Sequence, residues 1–348
     1  MKKIISLALC AVLLMALLSG CNKKTGAGEV NVYNWGEYID ESIFADFEKE
    51  TGIKVNYSNF QSNEDMYSVM KMGGSNYDVI IPSDYMISRL IEENLLEKVD
   101  FSNVPNFNLI DSSFKNLEYD PTNEFSVPYM WGTVGIIYNE ALYDGEVTSW
   151  DALWDPELSG QILMFDNPRD AVGIALLRLG YSLNTTDESE IREAYDLLAE
   201  QKPLLQMYVM DQIYDKLESG EAIIGPYYCG DYVTMVENNP DLKFVYPSEG
   251  TNRFVDAMCI PKGAANKKNA ELFINFMCKT AICARNMDVT GYASANTEAA
   301  NAYKEDLEPE LQEVVFPEES LLRTFEVFAN LPKSVLTLYS DLWVELKS

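Results

Sequence analysis

The chain has 348 residues, with 26 lysines and arginines against 55 aspartates and glutamates, and a formal net charge of −29. It contains no histidine, which excludes Ser-His-Asp and Cys-His nucleophilic sites and all metal sites with histidine ligands. So acidic a chain argues against nucleic acid as a partner, because phosphate backbones require a basic surface, and it favours cationic ligands. The hydrophobic content of 47% predicts a packed globular protein, and the length predicts two domains.

The amino-terminal segment indicates export. After two lysines, residues 4–18 form an apolar run that is shorter than the ~20 residues a membrane-spanning helix needs. The run ends in Leu-Ser-Gly-Cys, which resembles the lipobox of bacterial lipoproteins; an ordinary secretory peptide with an incidental cysteine is the alternative. We expect residues 1–20 to be a signal peptide, Cys21 the lipid attachment site and residues 21–28 a tether. The mature protein is then lipid-anchored to the outer face of the bacterial cell membrane, or periplasmic, and meets the membrane only through that anchor.

Beyond the tether, short apolar runs alternate with helical patterns, which is typical of an α/β fold. The first series predicts strands at 30–33, 53–57 and 78–81, and helices at 39–50, 63–72 and 85–93. The run 127–138 contains Gly132 and Gly135, and it predicts a strand long enough to cross from one lobe to another.

A second series follows this long strand. It predicts strands at 162–165, 222–225, 243–246 and 254–260, and helices at 171–179, 188–200, 269–279 and 334–347. We therefore expect two α/β lobes joined by crossing strands. One lobe comprises residues 29–134 plus 257–300, and the other comprises residues 135–256 plus 301–348.

Ligands of such sheets bind at the carboxyl ends of the strands, so the residues that follow each strand are the candidates. In the first lobe these are Trp35, Gly36, Glu37 and Tyr38 after the first strand, and Ser83, Asp84 and Tyr85 after the third. Rings and carboxylates together suit an organic cation, through cation–π contacts and charge-assisted hydrogen bonds. The alternatives are that the rings belong to the core and that the acids cap helices. For Ser83 and Asp84, taken alone, the sequence favours a helix cap over a ligand contact.

The second lobe repeats the combination of rings and acids. Its candidates are Asn167 and Asp170 after the strand 162–165, Tyr228, Phe254 and Asp256, and the late aromatic Tyr292. The alternative at the first of these corners is a solvated ion network, in which Arg169 pairs with a neighbouring aspartate. Several such corners, each after a predicted strand or at a turn, favour a binding site.

Four cysteines follow in the mature chain: Cys229, Cys259, Cys278 and Cys283. None forms a C-x-x-C pair, and the last two are spaced to point to different faces of a helix. We predict small buried side chains, while the sequence leaves their disulfide state open.

The sequence contains fewer motifs for other kinds of binding site or catalysis. The chain has no phosphate-binding loop, no G-x-G-x-x-G and no EF-hand loop. Its acids are interleaved with bulky rings instead of being clustered as oxygen ligands, so we expect no metal and no cofactor. Paired carboxylates and aromatic platforms leave a carbohydrate-active enzyme or carbohydrate-binding lipoprotein as the main alternative. A surface adhesin that has lost transport is a third.

Five segments carry a specific resemblance to a known family. They are Tyr-Asn-Trp-Gly-Glu-Tyr (33–38), Phe-x-Lys-Glu-Thr-Gly-Ile-Lys-Val (47–55), Tyr-Asp-x-x-x-Pro-Ser-Asp-Tyr (77–85), Val-Pro-Tyr-x-Trp-Gly-Thr (127–133) and Thr-Ser-Trp-x-x-Leu-Trp (148–154). Through them the chain resembles the spermidine/putrescine-binding proteins, the extracytoplasmic receptors of bacterial polyamine ABC importers. The resemblance runs from about Val30 to the carboxyl terminus.

This resemblance implies a two-lobed, periplasmic-binding-protein-like fold of type II that closes on a linear polyamine, putrescine or spermidine. It implies partnership with the permease subunits of an ABC transporter. We expect a monomer that catalyses no reaction and needs no cofactor.

The resemblance also assigns the family's ligand positions to residues of this chain. The matching positions are Trp35, Gly36, Glu37, Tyr38, Ser83, Asp84, Tyr85, Asp170, Asp256 and Tyr292. Asn167 stands where some members have Asp, and Tyr228 and Phe254 stand where many have Trp. A late polar contact of some members aligns near Ala329, which cannot supply it. These departures leave the preferred polyamine open.

Overall fold

The alternating elements of the sequence form a mixed α/β structure, which confirms the predicted class. The computed structural model describes residues 28–73 and 76–348. The predicted signal peptide and the lipid attachment site Cys21 lie outside the described residues. Within those described ranges, no helix is both long enough and apolar enough to cross a lipid bilayer.

Most predicted elements are present, with bounds that shift by a few residues. The strands are β1 (Gly28–Trp35), β2 (Ile53–Phe60), β3 (Val79–Ile80), β4 (Leu96–Glu97), β5 (Ser126–Asn139), β6 (Ile162–Phe165), β7 (Leu205–Val209), β8 (Ile224–Tyr228), β9 (Leu242–Val245), β10 (Arg253–Pro261) and β11 (Ala293–Ser294). The helices are α1 (Ile43–Thr51), α2 (Asn63–Lys71), α3 (Asp84–Glu92), α4 (Pro168–Arg178), α5 (Glu188–Gln201), α6 (Ile213–Glu218), α7 (Cys229–Asn238), α8 (Lys267–Met277), α9 (Thr280–Thr290), α10 (Thr297–Asp306), α11 (Pro309–Val315), α12 (Glu319–Leu322) and α13 (Lys333–Lys347).

Some elements differ from the sequence-based expectation. The first helix begins at Ile43 and not at Ile39, because residues 41–42 form a turn, and the carbonyl of Asp40 before this turn accepts the Ile43 N–H at 3.1 Å. No sequence pattern predicts β4, β7, β11, α6, α7 or α9–α12. Both α7 and α9 begin without a side-chain cap, so the usual signal of a helix start is missing.

The strands form one sheet with a parallel set on each side of a central antiparallel pair. The order is β2-β1-β3-β10-β5-β8-β6-β7. β1 pairs in parallel with β2 and β3, and β6 pairs in parallel with β7 and β8. We call β1–β3 the first sheet half and β6–β8 the second sheet half; β10 and β5 lie between them.

The predicted long strand is β5. Its first part, Ser126–Thr133, pairs with β10, and its second part, Val134–Asn139, pairs with β8 and β9. A side chain at Gly135 would place its Cβ 2.2 Å from the ring of Phe244, so only glycine allows this approach. In β10 the pairing register shifts between Asp256 and Ala257, which marks a β-bulge.

Large apolar cores pack around the sheet. Phe47 of α1 is fully buried and packs edge-on against Phe273 of α8, with ring centroids 5.3 Å apart. In a second core, Trp150 is fully buried and its indole N–H donates to the carbonyl of Gly250 at 3.0 Å. Burial of one such side chain contributes about 1.5–3 kcal/mol, and these cores hold the strand ends in place.

The four cysteines are small buried side chains, as predicted. Cys229, Cys259, Cys278 and Cys283 are free thiols in this structure. Burial raises the pKa of each of them, which makes the reactive thiolate form scarce near neutral pH.

Candidate functional site

A cavity lies where strand ends from both sheet halves face β10. Its walls come from the carboxyl ends of β1, β6 and β8, from the loop after β3, and from β10 itself. This is the place at which α/β sheets bind ligands. Most of the predicted ligand-binding residues line it: Trp35, Gly36, Tyr38, Ser83, Tyr85, Asn167, Asp170, Tyr228, Phe254, Asp256 and Tyr292.

Glu37 is an exception and does not line this cavity. Its backbone is left-handed, with φ of 45°, and its side chain is exposed. It faces a neighbouring surface pocket together with Asp211 and Asp215. The preceding Gly36 lets Asp211 approach, since a Cβ there would lie 2.6 Å from the Asp211 Oδ2 atom. The turn therefore carries the Glu37 carboxylate away from the expected ligand position.

Asp84 is the second exception. It is buried at the start of α3, where its Oδ1 accepts the Tyr85 N–H at 2.7 Å and its Oδ2 accepts the Val255 N–H at 3.1 Å. Burial raises the pKa of this carboxyl to about 7. Asp84 thus ties a helix end to β10, so the helix-end alternative fits it better than a ligand contact.

Asp256 projects from β10 into the cavity and is 3% exposed. Its Oδ2 accepts a hydrogen bond from the hydroxyl of Tyr38 at 2.8 Å, whereas its Oδ1 is buried and has no partner. Burial raises the pKa of Asp256 to about 7. An unpartnered buried carboxylate oxygen is costly, so this atom favours a ligand that donates a hydrogen bond.

Asp170 lies in the first turn of α4. Its Oδ2 accepts hydrogen bonds from the side-chain amide of Asn167 at 2.6 Å and from the hydroxyl of Tyr228 at 3.0 Å. Burial raises the pKa of Asp170 to about 7, and the nearby Glu64 also raises it. Asn167 caps the same helix by accepting the N–H of Arg169 at 2.9 Å, so one residue orients both the helix start and the acid.

Asp231 is a third buried acid of the lining, and it is not among the residues predicted from the sequence. It lies in the first turn of α7, directly after β8, in the same position relative to a strand as the predicted acids. Tyr214 donates to its Oδ1, and Tyr292 donates to its Oδ2 at 2.6 Å. Burial raises the pKa of Asp231 to about 7.

Aromatic side chains connect these acids into one wall. The ring of Tyr228 meets Phe254 at 5.5 Å, and Phe254 meets Tyr292 at 6.2 Å. Tyr292 also contacts Tyr38 edge-on at 4.9 Å. The indole N–H of Trp35 donates to the Ile81 carbonyl at 2.9 Å, which fixes the plane of the ring. These rings offer apolar surface and π faces beside the carboxylates.

Other lining residues were not singled out from the sequence. They are Phe60, Gln61, Asn63, Met210, Asp211, Asn252 and Phe328. Phe60 and Asn63 flank the corner between β2 and α2, so the rule that located the other corners applies to them too. Phe328 lies in an irregular segment that carries no such signal, and it brings a ring to the region where Ala329 supplies no polar side chain.

The charged side chains of the cavity lining are all acidic. Among the residues that the structure describes, no lysine or arginine lines the cavity. The same residues contain no group of three or more carboxylate or thiol side chains arranged to hold a metal ion. The arrangement can therefore stabilise a cation with several N–H donors and an apolar body.

Comparison with known proteins identifies the class. A family profile described as bacterial extracellular solute-binding protein matches residues 42–312, and the chain belongs to this family. More particularly, it is 33% identical over 320 residues to the spermidine/putrescine-binding periplasmic protein of Escherichia coli (strain K12), covering 91% of this chain and 90% of that protein. The resemblance to spermidine/putrescine-binding proteins is thus confirmed.

Solved structures agree with this assignment. A structure from Listeria monocytogenes has a TM-score of 0.86 and 42% identity, and the match covers 92% of this chain and 98% of that one. The spermidine/putrescine ABC transporter substrate-binding protein of Streptococcus pneumoniae has a TM-score of 0.76 and 37% identity, with the same coverage of 92% and 98%. The predicted periplasmic-binding-protein-like fold is therefore confirmed.

Proposed function

We propose that this protein is an extracytoplasmic receptor that captures a polyamine, putrescine or spermidine, and delivers it to the permease subunits of an ABC importer. Two of the relatives described above support this proposal by name. One is a spermidine/putrescine-binding periplasmic protein, and the other is a substrate-binding protein of a spermidine/putrescine ABC transporter. They give no support to the carbohydrate alternative.

The observation that carries the proposal is the set of buried aspartates and rings around one cavity. Asp170, Asp231 and Asp256 all line it, and each faces apolar aromatic surface. A charge-assisted hydrogen bond contributes roughly 1.5–3 kcal/mol and a cation–π contact about 0.5–2 kcal/mol. Two or three amines then suffice for a binding free energy of about −8 kcal/mol, which corresponds to a micromolar dissociation constant.

The roles of the individual side chains follow from their chemistry. We assign the protonated amines to the carboxylates of Asp170 and Asp256, and the methylene chain to the rings of Trp35, Tyr228 and Phe254. A point ion such as K⁺ cannot reach several acids at once. An elongated cation can place its amines at more than one acid while its methylenes contact the rings, and we propose that this selects the ligand.

Binding and delivery also require movement of the two lobes. We propose that residues 29–134 plus 257–300 and residues 135–256 plus 301–348 move as units about β5 and β10. The hydrogen bond from Tyr292 to Asp231 crosses the boundary between them. Closure would present a ligand-dependent shape to the permease. A monomer suffices for this cycle, and no bond of the ligand is made or broken.

The proposal includes attachment of the protein at the outer face of the membrane through Cys21. The relatives' description as periplasmic or extracellular proteins supports a location outside the cytoplasm. Metabolic labelling of the expressed chain with a fatty acid, compared with a Cys21→Ser variant, tests the anchor. Equal labelling of the two chains would contradict lipid attachment at Cys21.

Calorimetric titration with putrescine, spermidine and spermine tests the function. We expect saturable 1:1 binding of putrescine or spermidine, with a micromolar or tighter dissociation constant. Absence of binding to all three amines would overturn the proposal. Hydrolysis of a glycan would then favour the enzyme, and absence of any small-molecule ligand would favour the adhesin.

A further inference from the structure

Tyrosine hydroxyls of the cavity lining donate hydrogen bonds to carboxylates. Tyr38 donates to Asp256, Tyr228 to Asp170, Tyr292 to Asp231 and Tyr85 to Glu64. A phenolic hydroxyl has one proton and two lone pairs. Once its proton is engaged, the oxygen can only accept further hydrogen bonds. The tyrosines of the cavity are therefore set as acceptors.

Glu64 differs from the other acids because it is not part of the cavity lining. It lies in the first turn of α2 and faces a groove on the other side of Tyr85, which Arg89 and Arg169 also line. Its Oε1 accepts the Tyr85 hydroxyl at 3.0 Å, and its Oε2 is buried without a partner. Tyr85 itself is 6% exposed and lines the cavity.

The same helix turn also holds a second hydroxyl of the lining. The side-chain amide of Asn63 donates to Ser83 Oγ at 3.1 Å, and its Oδ1 accepts the Ser83 N–H at 3.2 Å. Two consecutive residues at the start of α2 thus contact two hydroxyl-bearing residues of the site. This turn therefore holds the side chains of Ser83 and Tyr85 from the side opposite the cavity.

We propose that Glu64 is a positioning residue of the polyamine site, which accepts the hydrogen bond donated by the Tyr85 hydroxyl and so leaves the phenolic oxygen as an acceptor for an ammonium N–H. The inference rests on the proposed function and adds a residue to its site. An ammonium group offers only donors. A Tyr85 hydroxyl whose proton turned towards the cavity would oppose that group, and Glu64 prevents this orientation.

Two substitutions of Glu64 separate hydrogen bonding from charge. Glu64→Met removes the acceptor at similar length, and we expect putrescine affinity to fall roughly three- to tenfold, the effect of one hydrogen bond. Glu64→Gln removes the charge but retains a carbonyl acceptor for Tyr85, so affinity should stay within about twofold of the parent protein. An equal loss in both variants would show that charge is responsible, and would overturn the inference.

A double-mutant cycle with Tyr85→Phe tests whether Glu64 acts through the hydroxyl. In the Tyr85→Phe background, Glu64→Met should cause no further loss of affinity. Additive losses would contradict the inference, because Glu64 would then act independently of Tyr85. Asp65→Asn removes an acid from the same helix turn without touching Tyr85, so it serves as the matched control and should change affinity by less than about twofold.

The outcomes also separate this inference from the proposed function. Polyamine binding by the parent protein tests the function. A normal parent titration combined with an unchanged Glu64→Met variant would overturn only the role of Glu64. Thermal unfolding with and without putrescine checks that each variant is folded. If the Met variant is unfolded, Glu64→Ala, whose vacant space opens to the groove, provides the same comparison.

Discussion

Tyr38 and Asp256 form a buried pair that leaves one carboxylate oxygen for a ligand. The Tyr38 hydroxyl donates to Oδ2 at 2.8 Å, while Oδ1 has no partner. These residues are far apart in sequence, on the loop after β1 and on β10, so the pair links the first and the central parts of the sheet. A donor from the cavity would complete the hydrogen bonding of Asp256.

Replacement of Asp256 by asparagine should weaken polyamine binding at least tenfold. The amide keeps the shape of the side chain but loses the charge, and a charge-assisted hydrogen bond contributes roughly 1.5–3 kcal/mol, which corresponds to a factor of about 10 or more. Calorimetric titration measures the effect. Asp241→Asn, at an exposed position, removes the same charge and should leave affinity unchanged. Parent-like affinity of Asp256→Asn would remove this residue from the site.

Polyamine affinity should fall as the pH decreases through about 7. Burial raises the pKa of Asp170, Asp231 and Asp256 to about 7, whereas the ligand's amines stay protonated throughout this range. An ammonium favours the ionised acids, so binding near pH 6 should release protons from the protein. Titrations in buffers with different ionisation enthalpies count these protons. A pH-independent affinity between pH 5 and 8 would contradict this expectation.

The same three acids predict how the free protein responds to pH. Each of these carboxyls has a higher pKa in the folded chain, about 7, than in the unfolded chain, near 4. Its protonation therefore stabilises the folded state fully below pH 4, and this contribution is lost as the pH rises through about 7. The ligand-free protein should therefore unfold at a lower temperature at pH 8 than at pH 5. Saturating putrescine should reduce this difference, and scanning calorimetry at both pH values measures it. A higher unfolding temperature at pH 8 would contradict the prediction.

Gly230→Ala should weaken binding although Gly230 does not line the cavity. An added Cβ would lie 2.2 Å from the ring of Tyr292, which must then move and lose its hydrogen bond to Asp231. Overpacking of this kind costs about 1–3 kcal/mol of stability. Thermal unfolding and putrescine titration measure the two effects. Tyr292→Phe removes the same hydrogen bond without crowding, so it should reproduce the loss of affinity but not the full loss of stability.

Capture of the ligand should be faster at low ionic strength. With a net charge of −29, the protein attracts polycations over a Debye length that shrinks from about 30 Å at 0.01 M to about 8 Å at 0.15 M salt. Stopped-flow measurement of tryptophan fluorescence, with Trp35 in the cavity wall, can follow binding. The association rate constant should fall several-fold over this range while the dissociation rate constant changes less. An unchanged association rate would exclude electrostatic steering.

Sequence patterns indicate the residues of the cavity lining wherever such a residue lies at the end of a recognisable strand or directly after it. Trp35, Ser83 and Asp170 were all found in this way, because parallel strands bring their carboxyl ends to one edge. Asp231 was missed since the strand before it was predicted to end early, at Gly225, and its helix starts without a capping side chain.

Side-chain direction was harder to predict than position along the chain. Glu37 follows a strand and precedes a helix, but its left-handed backbone turns its carboxylate out of the cavity. Asp84 lies at an equivalent corner, but its carboxylate accepts a hydrogen bond from the backbone N–H of Val255, which is distant in sequence. The role of Glu64 depends on a tertiary contact with Tyr85 that no local pattern indicates.

The bulge in β10 makes this strand a suitable target for redesign. Phe254 and Asp256 precede the bulge and line the cavity, while the chain from Ala257 onwards keeps its own pairing with Val127 and Pro128. Changes of residue type at 254 and 256 therefore leave the pairing of the later segment intact. An engineer who wished to recruit the scaffold as a sensor for other alkylammonium compounds would begin at these two positions.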